Sequence, residues 1–116
     1  MTSPLLGQFE QIVLTAVVSL GEDAYGISVH RKAEELSRPR KVSLGAIYAT
    51  LDRLEDKGLI SSRLSEPTPE RGGRARRCYR IEKSGLKALG EAVSTAQRLI
   101  EAVMGVAGGM RWKTAR

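Results

Sequence analysis

Cysteine, histidine and aromatic residues are scarce in this chain of 116 residues, which has one Cys, one His, one Trp, one Phe and three Tyr. A single cysteine rules out an internal disulfide and suits a reducing compartment, so a cytoplasmic location is expected. His30 and Cys78 have no companions of ligand or nucleophile type at useful spacing, and there is no P-loop. No enzyme activity, metal or cofactor is therefore expected. His30 reads as a surface or partly packed residue. Cys78 reads as a small buried apolar residue, with a redox role only if its thiol is exposed. Few aromatics leave little for a ligand cage or a base-stacking surface. No apolar run reaches the roughly 18 residues that a membrane span needs. No cationic stretch precedes an apolar segment at the start, so no signal peptide is expected.

Charge of one sign is concentrated. The net charge is +6. Residues 38–80 hold eleven Lys/Arg against five Asp/Glu, which is the whole excess, while the rest carries eight of each. A basic segment of this kind marks a surface for a polyanion.

Within that segment lies VSLGAIYATLDRLEDKGLI (42–60). The spacing predicts a helix over about 43–57, with Ser43 as N-cap and Gly58 as stop. Leu44, Ile47, Leu51 and Leu54 form one apolar stripe. Gly45, Ala49, Asp52 and Arg53 fall opposite it, and Tyr48 lies on the flank. Small residues at the start of that face let the backbone approach a groove. This is the pattern of a recognition helix, in which Arg53 reads bases while Asp52 orients it or accepts from a cytosine amino group.

Ahead of it, residues 5–20 read as a helix whose apolar arc, Leu5, Phe9, Ile12, Val13, Ala16, Val17 and Leu20, is wide enough to suggest burial on two sides. Residues 24–36 read as a second helix with Ile27, Ala33 and Leu36 inward. SRPRKVS (37–43) places Arg38, Arg40 and Lys41 beside the start of the recognition helix. After it, 59–65 and 76–82 read as strands joined by turn chemistry at 66–75. This hairpin carries Arg71, Arg74, Arg76, Arg77 and Arg80 around Gly72 and Gly73. Arginine suits a wing because its fork binds phosphate or a base edge with two bonds. Residues 83–104 read as a long helix with the repeat Leu86, Leu89, Val93, Ala96, Ile100, Val103, a seam for a helix partner. With Phe9 and Val13 it is expected to form a dimer interface. Residues 105–116 are expected to be a flexible tail, with Trp112 free to dock.

The fold class that follows is mainly α with a small β-hairpin: a winged helix-turn-helix over 1–82, its wing at about 59–82, and a dimerisation helix over 83–104. The expected DNA contacts are Arg40, Lys41, Ser43, Gly45, Tyr48, Ala49, Asp52, Arg53, Arg71, Gly72, Gly73, Arg74, Arg76 and Arg77. The competing reading is a winged-helix module whose basic hairpin binds an acidic protein without reading DNA.

On AYGISV (24–29), residues 42–60, ERGGRARRCYRIEKSG (70–85) and the helix after them, the chain resembles the PadR family of bacterial transcriptional regulators from about Leu5 to Val103. The resemblance implies a dimer that represses nearby genes from a palindromic operator in double-stranded DNA, often released by a small-molecule effector. It also implies that Tyr48 touches the DNA backbone, that Ser43–Arg53 enters the major groove, and that Arg71 to Arg77 form the wing. Two departures stand out. Glu82 replaces the usual Thr or Ser before the last helix. Residues 83–104 contain no aromatic, so a pocket that stacks planar drugs is not expected, and the effector is unspecified.

Overall fold

A computed structural model describes residues 5–67, 72 and 75–110, without the side chains at 107, 109 and 110. The elements in order are α1 (Gln8–Leu20), a single 3-10 turn (Gly21–Asp23), α2 (Gly26–Leu36), α3 (Leu44–Asp56), β1 (Ile60–Leu64), β2 (Arg77–Ile81) and α4 (Lys83–Met110). β1 and β2 pair antiparallel, with Ile60 opposite Ile81 and Leu64 opposite Arg77. The mainly α winged helix-turn-helix with a two-stranded wing is thus present. Among the described residues no helix is long and apolar enough to cross a membrane.

α1 is the centre of the domain. It touches α2, α3, β2 and α4, and Val13, Leu14, Ala16 and Val17 are buried on it. This corrects the expectation that Val13 serves a dimer face. Its side chain is 0% exposed, because the wide apolar arc is consumed by four neighbours of the same chain. Phe9 also packs against this core, half-buried. Leu5, expected inside the helix, precedes it and is exposed. The core continues through Val29, Ala33, Ile47, Leu51, Leu54, Leu59, Ile60 and Tyr79. Each large aliphatic side chain buried there contributes about 1.5–3 kcal/mol against exposure to water.

α2 starts two residues later than expected. The Ala24 carbonyl accepts the Tyr79 N–H at 2.8 Å, and Tyr25 bridges Cys78, so 24–25 extend the wing's edge instead of joining the helix. Ile27 and Leu36, expected inward, are exposed, and Val29 takes the inner position with Ala33. Cys78 is half-buried on that edge.

Two further corrections concern ends. Leu44 is exposed, because it stands at the first position of α3, ahead of the turn that meets the core. α4 runs on to Met110, six residues beyond the expected end at 104, so Gly105 and Gly108 sit in a helix where a tail was expected. The remaining tail residues, 111–116 with Trp112, lie outside the described residues.

α4 is seated by its first turns. Gly85 and Ala88 are buried, and Leu89 and Ala92 half-buried, while every residue from Val93 to Val106 is exposed. At Gly85 an added Cβ would collide with the Leu59 carbonyl oxygen and the Ile81 side chain. Ser84 Oγ donates to the Gly58 carbonyl at 2.7 Å, tying the same turn to the end of α3. At Gly90 a Cβ would meet nothing. Gly85→Ala is therefore expected to destabilise the fold by about 1–3 kcal/mol through overpacking. Gly90→Ala should instead gain up to about 1 kcal/mol from helix propensity. Thermal unfolding of the two variants side by side measures this, and equal shifts of one sign would contradict the close seat at Gly85.

Candidate nucleic-acid interface

α3 is held from its inner side and at its entry. Ile47, Thr50, Leu51 and Leu54 are buried. Ser43 caps the helix, its hydroxyl accepting the Ala46 N–H at 3.0 Å. The residue before the cap is clamped at both polar groups. His30 Nε2 lies 2.6 Å from the Val42 carbonyl oxygen and donates to it in the matching tautomer. Glu34 Oε2 accepts the Val42 N–H at 3.0 Å. The Val42 N–H holds the Glu34 carboxyl below its ordinary value, against slight desolvation and with help from the charges of His30 and Lys41. Sequence reasoning gave His30 no task. The signal was its pairing with Glu34 one turn on along α2, at 3.7 Å.

Outward, α3 presents Gly45, Ala49, Asp52 and Asp56, all exposed. At 100° per residue these lie opposite the buried stripe, while Tyr48 and Arg53 stand about 70° to either side. Tyr48 leans toward α2. Its phenol lies where a Cβ on residue 26 would stand, so Gly26 is required for this close approach. Beyond it the Arg76 guanidinium stacks on the Tyr25 ring, 3.6 Å from the centroid. Arg77 Nη1 donates to Ser62 Oγ at 3.0 Å. Tyr25, Gly26, Ile27, Tyr48, Arg76 and Arg77 line one notch of about 250 Å³. The structure thus brings Tyr48, Arg76 and Arg77 together. Arg40 and Lys41 are exposed just before the cap of α3. Gly72 is in a turn at φ +64°. Arg71, Gly73 and Arg74, also expected on the wing, lie outside the described residues.

Not every wing arginine faces the same way. Ser62, opposite Tyr79, donates to Glu55 of α3 at 2.8 Å, which identifies the sheet face turned to α3. By alternation Arg63, Cys78 and Arg80 are on the other face. Arg80, which is not among the expected DNA contacts, thus lies on the face turned away from α3.

Arg53 is not oriented by Asp52. Its Nε donates to Glu10 Oε2 on α1 at 3.4 Å, and its Nη2 donates to Thr50 Oγ1 at 3.3 Å. The same Glu10 oxygen accepts from Lys57 Nζ at 2.7 Å, and Oε1 accepts the Gly7 N–H at 3.0 Å. The Glu10 side chain is only 10% exposed. Burial pushes its carboxyl up, but the Lys57 hydrogen bond, the Gly7 N–H, the Lys57 charge and the Arg53 hydrogen bond together take it below its ordinary value. A carboxylate with a depressed pKa stabilises the fold above the unfolded pKa and loses that contribution as pH falls through the folded value. Glu10→Gln should cost about 1–3 kcal/mol near neutral pH. The cost should shrink as pH drops below the ordinary value of 4.5. Urea unfolding at neutral and acid pH measures both, and a cost independent of pH would refute the ion-pair origin.

On α4, Leu86, Val93, Ile100 and Val103 of the expected seam are exposed, at 46–61%. Ala96 is exposed too, whereas Leu89 packs half-buried on its own core. The expected seam is therefore divided between the chain's own domain and open surface.

This arrangement has relatives. Residues 13–91 match the transcriptional regulator PadR-like family. A PadR-like transcription factor from Bacteroides fragilis superposes with TM-score 0.68 at 27% identity, over 87% of this chain and 91% of the other. A PadR-like transcriptional regulator from Bacillus cereus gives TM-score 0.68 at 26% identity, over 84% and 88%. A PadR family regulator from Clostridium difficile gives 0.65 at 26%, over 85% and 96%. No curated protein matches the chain in sequence. With the winged fold and the family match over residues 13–91, this chain belongs to the PadR-like family of transcriptional regulators, and is a DNA-binding regulator.

Proposed function

We propose that the chain is a homodimeric repressor that binds a palindromic operator through two copies of α3. The observation that carries this reading is the outer face of α3. Gly45 and Ala49 leave its first turns bare, and cationic or phosphate-binding groups flank it on both sides: Arg40, Lys41 and Arg53 on one, Tyr48, Arg76 and Arg77 on the other. A helix so flanked enters a major groove while its borders meet the two phosphate ridges. The notch beside Tyr48 suits a backbone phosphate, with the hydroxyl and two guanidinium groups as donors. Two copies paired through the exposed part of α4 would have to set the α3 helices about one helical turn apart, ~34 Å, to meet successive major grooves. Repression follows from occupancy of a promoter, and release by a small-molecule effector completes the reading.

The test is fluorescence anisotropy with duplex DNA from upstream of the protein's own gene against a shuffled duplex, at two salt concentrations. Preference for the upstream duplex that survives higher salt is the expected result. Equal, salt-labile binding to both would leave only a basic surface, and no binding at all would favour a module for an acidic protein partner. Arg76→Ala should weaken binding to every duplex alike, and the salt slope should fall by about one. Val93→Glu, on the exposed ridge of α4, should leave the fold intact but give a monomer by light scattering and abolish tight operator binding. A dimeric Val93→Glu protein would place the interface elsewhere.

A further inference from the structure

We infer that Glu10, on α1 and outside the reading helix, is the positioning residue that turns the Arg53 guanidinium toward DNA and so sets the base selectivity of α3. The inference rests on the DNA-reading role proposed above.

Guanidinium has five N–H groups in a fixed plane. Glu10 Oε2 takes the Nε–H, and Thr50 Oγ1 takes one N–H of Nη2. Both acceptors lie on the same edge of the plane. Among the described residues Nη1 and the second N–H of Nη2 have no acceptor, which leaves an end-on pair for an outside partner on a side chain that is 52% exposed. That pair is the fork that matches the O6 and N7 acceptors of guanine. The buttress is itself rigid. Thr50 is 2% exposed on the buried face of α3. Glu10 is held at Oε1 by the Gly7 N–H and at Oε2 by Lys57. Arg53 is half in solvent, with its side chain 52% exposed. Without the buttress it would range over its rotamers and reach phosphate as readily as a base. Phosphate contact carries affinity without selectivity. Glu10 also opposes that drift electrostatically, because Arg53 must leave a carboxylate to pair with phosphate.

The alternative is that Glu10 only ties α1 to the end of α3 through Lys57. The two roles separate in a double-mutant cycle. The probe is a duplex enriched from a random-sequence library by the wild-type protein, with a shuffled duplex as reference. The selectivity ratio is measured for wild type, Glu10→Gln, Thr50→Val, Arg53→Ala and the Glu10→Gln/Arg53→Ala pair, below the melting transition of each. Glu10→Gln and Thr50→Val should each lower the ratio about threefold to tenfold, the effect of freeing one immobilised side chain. Thr50→Val retains the ion pairs of Glu10, so it tests the buttress even if Glu10→Gln folds poorly. In the Arg53→Ala background, Glu10→Gln should change the ratio no further. A ratio unchanged by both single variants, or an equal fall from Glu10→Gln with and without Arg53, would overturn the inference while leaving α3 as the reader. Failure of the wild-type protein to enrich any duplex would overturn the reading role and this inference with it.

Discussion

A helix can hold its outer face in a fixed orientation only if its inner face is packed and immobile. That constraint governs this chain. Ile47, Thr50, Leu51 and Leu54 are fully packed, and α3 rests on α1, α2 and β1, with α1 also touching α2, β2 and α4. α1 is therefore wide in its apolar arc for an internal reason. It is the common floor of the domain, shared by α2, α3, β2 and α4. The polar contacts refine what the packing sets. His30 and Glu34 hold both groups of Val42 and so fix where α3 begins, while Glu10 holds two cations of its last turns.

The element pattern was largely legible in the residues because each element carries its own local signal. Ser43 and Gly58 bracket α3 by cap chemistry, and the hairpin announces itself by alternation around a turn-rich stretch. The misreadings arose where distant segments compete for the same residue. Val13 and Leu89 satisfy a dimer-seam pattern, but periodicity does not say whose apolar surface will meet a stripe. Ala24 and Tyr25 fit a helix start until Tyr79 captures the Ala24 carbonyl from across the chain. Glycines at 105 and 108 weaken a helix by propensity alone, yet α4 continues through them.

The candidate interface was legible in composition and not in geometry, for a related reason. Its composition, small residues on α3 and arginines after it, is written in one segment. Its geometry is not. Glu10 is 43 residues from Arg53 and Gly26 is 22 from Tyr48, and neither separation leaves a periodic trace. Arg80 shows the converse: it is near the others in sequence, yet strand alternation turns it to the opposite face from Ser62 and Tyr79.

The seat of α4 has a mechanical consequence. Its first turns lie so close to Leu59 that only glycine fits at residue 85, and the helix then runs on to Met110, exposed from Val93 to Val106; Gly85 to Met110 spans about 37 Å at the rise of an α-helix. A rigid arm of that length converts angle into distance. A tilt of about 5° at Gly85 moves the far end by about 3.3 Å, close to one base-pair step along a DNA strand. The joint at Gly85 is therefore a tolerance-setting part: its stiffness decides how far the far end of α4 swings relative to the packed domain.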